Sequence, residues 1–271
     1  MPRRFRAACV QTTSGRDYDP NLAQVVPMIE QARRDGADLV LLPENVSLLE
    51  PDPARLRLKA LPEVGHPVLS TFSDLARDLG VWLLVGSIAI CVDDNRFVNR
   101  SYLIAADGSV AAHYDKMHLF DVDLEGGESY RESATFTRGQ RAVVAPTPWG
   151  GMGLSICYDL RFPTLYRHLA KAGADLLTIP SAFTRITGQA HWHILVRARA
   201  IENACFVFAP AQCGVHAEGR TTFGHSLIVD PWGTVLAEGG DDPTVIAADI
   251  DLEQVQRARR RVPSLALDTP L

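Results

Sequence analysis

The stretch RDGADLVLLPEN, residues 34–45, governs the reading of this chain because it returns as KAGADLLTIPSA at residues 171–182. In each copy a basic helix end runs into Gly-Ala-Asp-Leu, then a short apolar run, a proline and a polar residue. Glycine stops a helix by taking positive φ at little cost, and a short apolar run bounded by such signals suits a buried strand. Proline then closes the strand, since it cannot donate to a ladder. Two copies imply two similar α/β halves. Each half presents a polar residue just past the C-terminal end of a strand, Glu44 in the first and Ser181 in the second. Ligands collect at such ends in open α/β sheets. The same letters also read as no more than a helix stop followed by a strand start, and the sequence leaves that choice open.

Strand and helix patterns alternate on both sides of the two copies. FRAACVQ (5–11) reads as a strand, and residues 19–36 as a helix capped by Asp19, with Pro20 at its first position, a bend at Pro27 and Gly36 at its end. A helix over 67–80, strands over 81–90 and 98–106, and a turn before a further strand follow. Later come a strand over 152–157, a helix over 163–172, a strand over 174–180, a helix over 188–203 and a strand over 205–211. A hairpin around Asp230–Gly233, a strand over 244–250 and a polar helix over 251–261 complete the pattern. The chain reads as a single α/β domain over residues 1–271, with 255–271 forming the end of the last helix and a tail. Residues 115–140 are polar and irregular, and loops of that length in a compact domain are usually functional or disordered.

Composition excludes several classes. With 46% apolar and 22% charged residues the chain can bury a substantial core. A formal charge of −5 with acids and bases interspersed offers no face to a polyanion, so nucleic acid is not expected as a partner. No apolar run approaches the roughly 18 residues of a membrane span, and the N-terminal apolar stretch is too short for a signal peptide. Cysteines 9, 91, 157, 205 and 213 are odd in number, scattered and without a C-x-x-C pair, which speaks against a disulfide framework and a zinc ribbon. A cytoplasmic protein with free thiols and no membrane partner is expected. The HWH at 191–193 is not expected to bind metal, because residues two apart on a helix point to different faces.

Three residues stand where chemistry is possible. Glu44 closes an apolar strand, Cys157 ends the run GLSIC, and Lys116 sits in the long polar segment as part of YDKMHLF. A thiol near pKa 8.5 is mostly protonated at neutral pH and needs a cation or a base to become a nucleophile. A carboxylate whose pKa burial raises can serve as that base and then as an acid. Taken singly, each has a bland alternative: a packed thiol, a solvated lysine, a locally paired glutamate.

Together, LLPEN around Glu44, DKMHLFD around Lys116 and GLSICYDLRFP around Cys157 resemble the three motifs of the nitrilase-type carbon–nitrogen hydrolases, in their expected order. The resemblance runs from AACVQ to TVIAADI, nearly the whole chain. It implies a four-layer α-β-β-α sandwich, usually assembled as a homodimer or larger homo-oligomer, with Glu44, Lys116 and Cys157 as a catalytic triad and no metal or organic cofactor. It also implies that Glu132, in YRESATF, is a fourth acid beside the lysine. KMHLFDVD, PSAFTRITGQAHW and GHSLIVDPWGTVLAE resemble most the deaminated glutathione amidase branch, which implies a small-molecule amide as substrate; the related ω-amidases share much of the pattern. Gln189 stands where that branch more usually has proline. Tyr158 is expected to offer its backbone N–H to an oxyanion and Arg161 to clamp a substrate carboxylate, with a salt bridge to Asp159 as the alternative for Arg161. Phe183 and Thr184 are expected to line the pocket.

Other classes fit less well. A cysteine phosphatase needs C-x5-R, whereas the spacing here is Cys157-x3-Arg161. A Cys-His-Glu amidotransferase has a candidate histidine in His216, but Tyr158 stands where those enzymes keep a small residue, and His216 lies in a stretch that reads as surface loop. A catalytically inactive interaction protein is disfavoured by the presence of all four candidate residues.

Overall fold

The computed structural model describes residues 4–93, 96–124 and 129–269. The two Gly-Ala-Asp-Leu copies occupy equivalent places in two sheets. In the first sheet Arg4–Gln11 runs parallel to Leu39–Leu41, which runs parallel to Trp82–Asp93. In the second, Gly151–Leu154, Ala174–Thr178 and Phe206–Ala209 are parallel in the same order. Each copy therefore supplies the middle strand of a parallel triplet. Antiparallel strands widen both triplets. Thr244–Asp251 pairs with Arg4–Gln11, while Arg96–Ile104 and Val110–Asp115 extend the other side. Val143–Pro146 flanks Gly151–Leu154, and Leu227–Val229 with Val235–Glu238 extends Phe206–Ala209.

The alternation of side chains along the first strand separates the layers. Ala7 and Cys9 pack in one cluster with Leu154, Leu177 and Phe208 of the second sheet. Their neighbours Ala8 and Val10 pack in another with Val25, Ile29, Val68 and Phe72, from helices Tyr18–Arg34 and Pro67–Leu79. Helices Pro163–Lys171 and Arg185–Asn203 cover the second sheet with Leu169, Trp192 and Val196. The order is helix, sheet, sheet, helix, as the resemblance implied.

Several local expectations need correction. The first helix is preceded by Asp17, not Asp19, and Pro20 is its third residue and not its first. The helix expected at 188–203 begins at Arg185. The segment 115–140 is not irregular throughout: Asp121–Asp123 pairs with Ser129–Arg131, and a 3-10 turn follows at Glu132–Ala134. Residues 125–128 of that expectation, and residues 270–271 of the expected tail, lie outside the described residues. The strand expected at 152–157 stops at Leu154. A short helix at Pro53–Lys59, whose cap Asp52 accepts from the Ala54 and Arg55 amides at 2.8 and 3.1 Å, had no counterpart in the sequence reading.

Two glycines set the backbone under the candidate site. A Cβ on Gly86 would lie 2.0 Å from Leu42 O and 2.4 Å from Pro43 O, so the strand carrying Gly86 reaches the backbone leading to Glu44 only without a side chain. A Cβ on Gly139 would lie 2.1 Å from Asp115 O, next to Lys116. Gly86→Ala is therefore expected to destabilise the fold by about 1–3 kcal/mol, the usual cost of overpacking, and to lower activity by displacing Glu44. Urea unfolding midpoints and turnover of the remaining folded protein measure the two effects separately.

Candidate active site

The loops beyond the strand ends bring the expected residues together. Pro43 ends the first copy, and Asn45 turns the chain with φ 56° while its amide donates to Ser87 Oγ at 3.0 Å. Glu44 is thereby turned inward, 3% exposed. Lys116 follows the strand Val110–Asp115, its amide bonded to Asn99 O at 3.0 Å and its carbonyl accepting from Gly139 N at 2.8 Å. Cys157 opens a 3-10 turn, Cys157–Arg161, with φ 48° and its amide bonded to Pro180 O at 2.9 Å. A left-handed conformation at a non-glycine residue costs about 1–3 kcal/mol and persists where the surroundings enforce it.

Buried Asp159 supplies that enforcement. Its Oδ2 accepts from Ile156 N at 2.9 Å and Tyr114 Oη at 2.8 Å, while Oδ1 accepts from His118 N at 3.0 Å and lies 2.6 Å from His118 Nδ1. The Cys157 turn and the Lys116 loop are thus tied to one carboxylate.

The cluster itself is closely connected. Lys116 Nζ donates to Glu44 Oε1 at 2.8 Å and to Glu132 Oε1 and Oε2 at 3.0 and 2.8 Å. Asn99 Nδ2 bridges the same two acids at 3.0 and 3.2 Å. Glu44 Oε2 accepts from Ala182 N at 2.9 Å, and Glu132 Oε2 from Phe120 N at 2.6 Å. Cys157 lies close enough to Glu44 that the two groups shift each other's ionisation.

Burial disfavours every charge here, and pairing decides which survive. Burial works against the Lys116 ammonium, but Glu132 and Glu44 outweigh it and hold its pKa well above the ordinary 10.5. Burial would raise Glu44, yet the charge and hydrogen bond of Lys116, helped by Cys157 and Arg220, bring it below 4.5. The Cys157 thiol is pushed far above 9.0 by burial and by the charge on Glu44, with Lys116 acting the other way. The net direction at Glu44 is thus the opposite of the rise expected from burial alone. A thiol shifted up beside a carboxylate shifted down is the arrangement of a nucleophile beside its general base.

The four residues open onto a cavity of about 360 Å³, within the usual range for small-molecule sites. Tyr158, Phe183 and Thr184 also line it. Arg161 does not. Its guanidinium turns away to His191 Nδ1 at 3.3 Å and over the rings of Phe183 and Tyr158, at 5.1 and 6.0 Å from their centres. It makes no salt bridge with Asp159 either, whose carboxylate is occupied as described. The arginines on the cavity wall are Arg131 and Arg220. Arg220 and Asn99 were not anticipated. Asn99, a polar residue in the middle of an apolar strand, was a readable signal; Arg220, in a polar loop, gave none.

His216 is buried rather than on a surface loop, with Nδ1 2.9 Å from Ser14 O and Nε2 2.7 Å from Thr222 Oγ1, so both ring nitrogens have partners away from Cys157. His191 and His193 diverge as their spacing requires, His193 Nε2 lying 2.8 Å from Glu238 Oε1. That oxygen is also 2.9 Å from His225 Nδ1. Among the described residues these three form the one group with metal-ligand spacing, and none of them lines the cavity.

Residues 6–260 match the family model for carbon–nitrogen hydrolases. The chain belongs to the carbon–nitrogen hydrolase family. It is 42% identical over 266 residues to a deaminated glutathione amidase of Synechocystis, an alignment covering 96% of this chain and 97% of that one. Among solved structures, the NitFhit protein of C. elegans superposes with a TM-score of 0.90 at 36% identity, covering 98% of this chain and 65% of that longer one. An amidase variant from Nesterenkonia sp. AN1, with the acetamide moiety of fluoroacetamide covalently added at its active-site cysteine, gives a TM-score of 0.81 at 27% identity over 95% of this chain and 94% of that one.

Proposed function

We propose that this carbon–nitrogen hydrolase is a cofactor-independent amidase that cleaves deaminated glutathione into 2-oxoglutarate and cysteinylglycine through a thioester on Cys157. The observation that carries the reading is the convergence of Cys157, Glu44 and Lys116 on one cavity, with Lys116 Nζ bonded to Glu44 Oε1 at 2.8 Å. Relatives bearing the name deaminated glutathione amidase, matched over 97% and 80% of their own lengths, support the substrate.

The reaction runs in two halves. As Cys157 Sγ bonds to the amide carbon, its proton passes to Glu44, and the carbonyl oxygen becomes an oxyanion held by Lys116 Nζ and the Tyr158 amide. An amide in the first turn of a helical segment has no acceptor within that turn, so the Tyr158 donor is free for this use. Glu44 then gives its proton to the nitrogen, the C–N bond breaks, and the amine leaves. Water attacks the thioester while Glu44 takes its proton; the second oxyanion collapses, the C–S bond breaks, and the thiol recovers its proton from Glu44. Glu132 keeps Lys116 charged and aimed, which the paired bonds at 3.0 and 2.8 Å support.

No helix among the described residues is long and apolar enough to cross a membrane. A cytoplasmic homodimer is the assembly proposed here. Ile194 and Ile201, 70% and 52% exposed, share a face of the helix Arg185–Asn203, a patch suited to a second copy.

Product release from deaminated glutathione, 2-oxoglutaramate, an N-carbamoyl amino acid and a simple nitrile tests the substrate. The highest kcat/KM is expected for deaminated glutathione. Faster turnover of 2-oxoglutaramate would make the protein an ω-amidase, and turnover of the nitrile alone would overturn the amidase reading.

A further inference from the structure

Of the three cations on the cavity wall, one forms no salt bridge with an acid of the described residues, although it lies near enough to Glu44 to help lower that acid's pKa. Lys116 is engaged by Glu44 and Glu132, and Arg131 is held by both oxygens of Asp123 at 2.8 and 2.9 Å. Arg220, which follows the turn Ala217–Gly219 and precedes the strand Thr221–Phe223, has neither kind of partner. One of its nitrogens, Nη2, donates to Ala182 O at 3.2 Å, and its guanidinium carbon lies 5.3 Å from the centre of the Tyr130 ring. Its Nε is buried and has no hydrogen-bond partner. A buried donor left unmade is costly, and an arginine fork lacking a carboxylate on a cavity wall is shaped to receive one bidentately.

The position of Arg220 says which carboxylate. Ala182 accepts from Arg220 through its carbonyl and donates to Glu44 Oε2 at 2.9 Å through its amide. The guanidinium is therefore one peptide unit from the base that serves Cys157. A carboxylate held there belongs to the short acyl chain next to the scissile carbonyl, and not to the far end of a leaving dipeptide.

We propose that Arg220 is the carboxylate-binding residue of this cavity. It holds the acid group on the acyl half of the substrate and so selects amides of dicarboxylic or 2-oxo-dicarboxylic acids over uncharged amides. The inference rests on the amidase reading above. It gives Arg220 the part that the sequence suggested for Arg161.

The test is substrate discrimination in Arg220→Met and Arg220→Lys, with circular dichroism to verify folding. For each protein kcat/KM is measured on deaminated glutathione, on 2-oxoglutaramate, which carries the acyl carboxylate alone, and on butyramide. In Arg220→Met the preference for each acid amide over butyramide should fall about 10- to 100-fold, the scale of a charge-assisted hydrogen bond, mostly through KM. Arg220→Lys, which keeps the charge without the fork, should fall between the two. Equal loss on all three substrates would make Arg220 merely structural, and loss confined to deaminated glutathione would move its partner to the dipeptide; either overturns the proposal. Binding of 2-oxoglutarate to the unmutated protein and to Arg220→Met, followed by calorimetry, separates the two readings. Weakened binding in the variant sustains the proposal even if no amide were hydrolysed, and equal binding refutes it.

Discussion

Cys157→Ala is expected to reduce amide hydrolysis by on the order of 10⁶-fold, because no other group lining the cavity is placed to form the covalent intermediate. The other thiols offer no substitute: Cys9, Cys205 and Cys213 are buried in the core, and none of them, nor Cys91, lines the cavity. The fold should survive. Alanine tolerates φ 48° no worse than cysteine does, and the Pro180 bond is made by the backbone amide, which the substitution keeps. Stopped assays with enzyme in excess, alongside an unfolding curve, distinguish lost chemistry from lost structure. Residual turnover above about one part in a thousand would place the nucleophile elsewhere.

Glu44→Gln should cost about 10²–10⁴-fold in kcat, the span typical of a general acid–base residue, with both halves of the reaction slowed. Glutamine preserves the shape but keeps one acceptor oxygen, enough for Ala182 N or for Lys116 Nζ and not for both, and it can neither take the thiol proton nor give one to the leaving nitrogen. A second signature lies in acid stability. The folded-state pKa of Glu44 is depressed from 4.5, so the folded protein binds this proton more weakly than the unfolded chain. Its contribution to stability is fully present above about 4.5 and is lost as pH falls through the depressed value. Glu44→Gln should therefore flatten the decline of stability with acid below that pH. A variant with unchanged acid sensitivity would show that Glu44 is not held ionised by Lys116.

Much of this site could be read before the fold because its members close strands. Glu44 and Cys157 each follow an apolar run at a point where a chain of purely structural purpose would turn with glycine or proline. Lys116 is legible only beside them, since a lone lysine in a polar segment carries little information. What the sequence could not convey was direction. Arg161 stands four residues after Cys157, and its nearness along the chain suggested nearness in the cavity. The turn between them is a 3-10 helix, in which residues three apart eclipse and the next points a third of a turn away. Arg161 accordingly faces His191, while Arg220 arrives at the cavity from a separate loop.

Protonation was equally hidden. A thiol near a lysine reads as a thiolate until the depth of burial and the intervening carboxylate are known. Both emerge only when strands distant in sequence close over the cluster, as when Asn99 meets Glu44 across the first sheet. The middle-strand role of the two Gly-Ala-Asp-Leu copies was more accessible, because helix stop, strand and proline are local signals that the sheets then use in the same way.

The thioester on Cys157 is the step on which the mechanism depends. The direct measurement is mass spectrometry of the protein quenched in acid during turnover of deaminated glutathione, followed by peptide mapping. A mass gain equal to the 2-oxoglutaryl group on the Cys157 peptide, greater in Glu44→Gln as hydrolysis of the intermediate slows and absent in Cys157→Ala, is the predicted result. Turnover without an adduct, or an adduct that persists in Cys157→Ala, would contradict it.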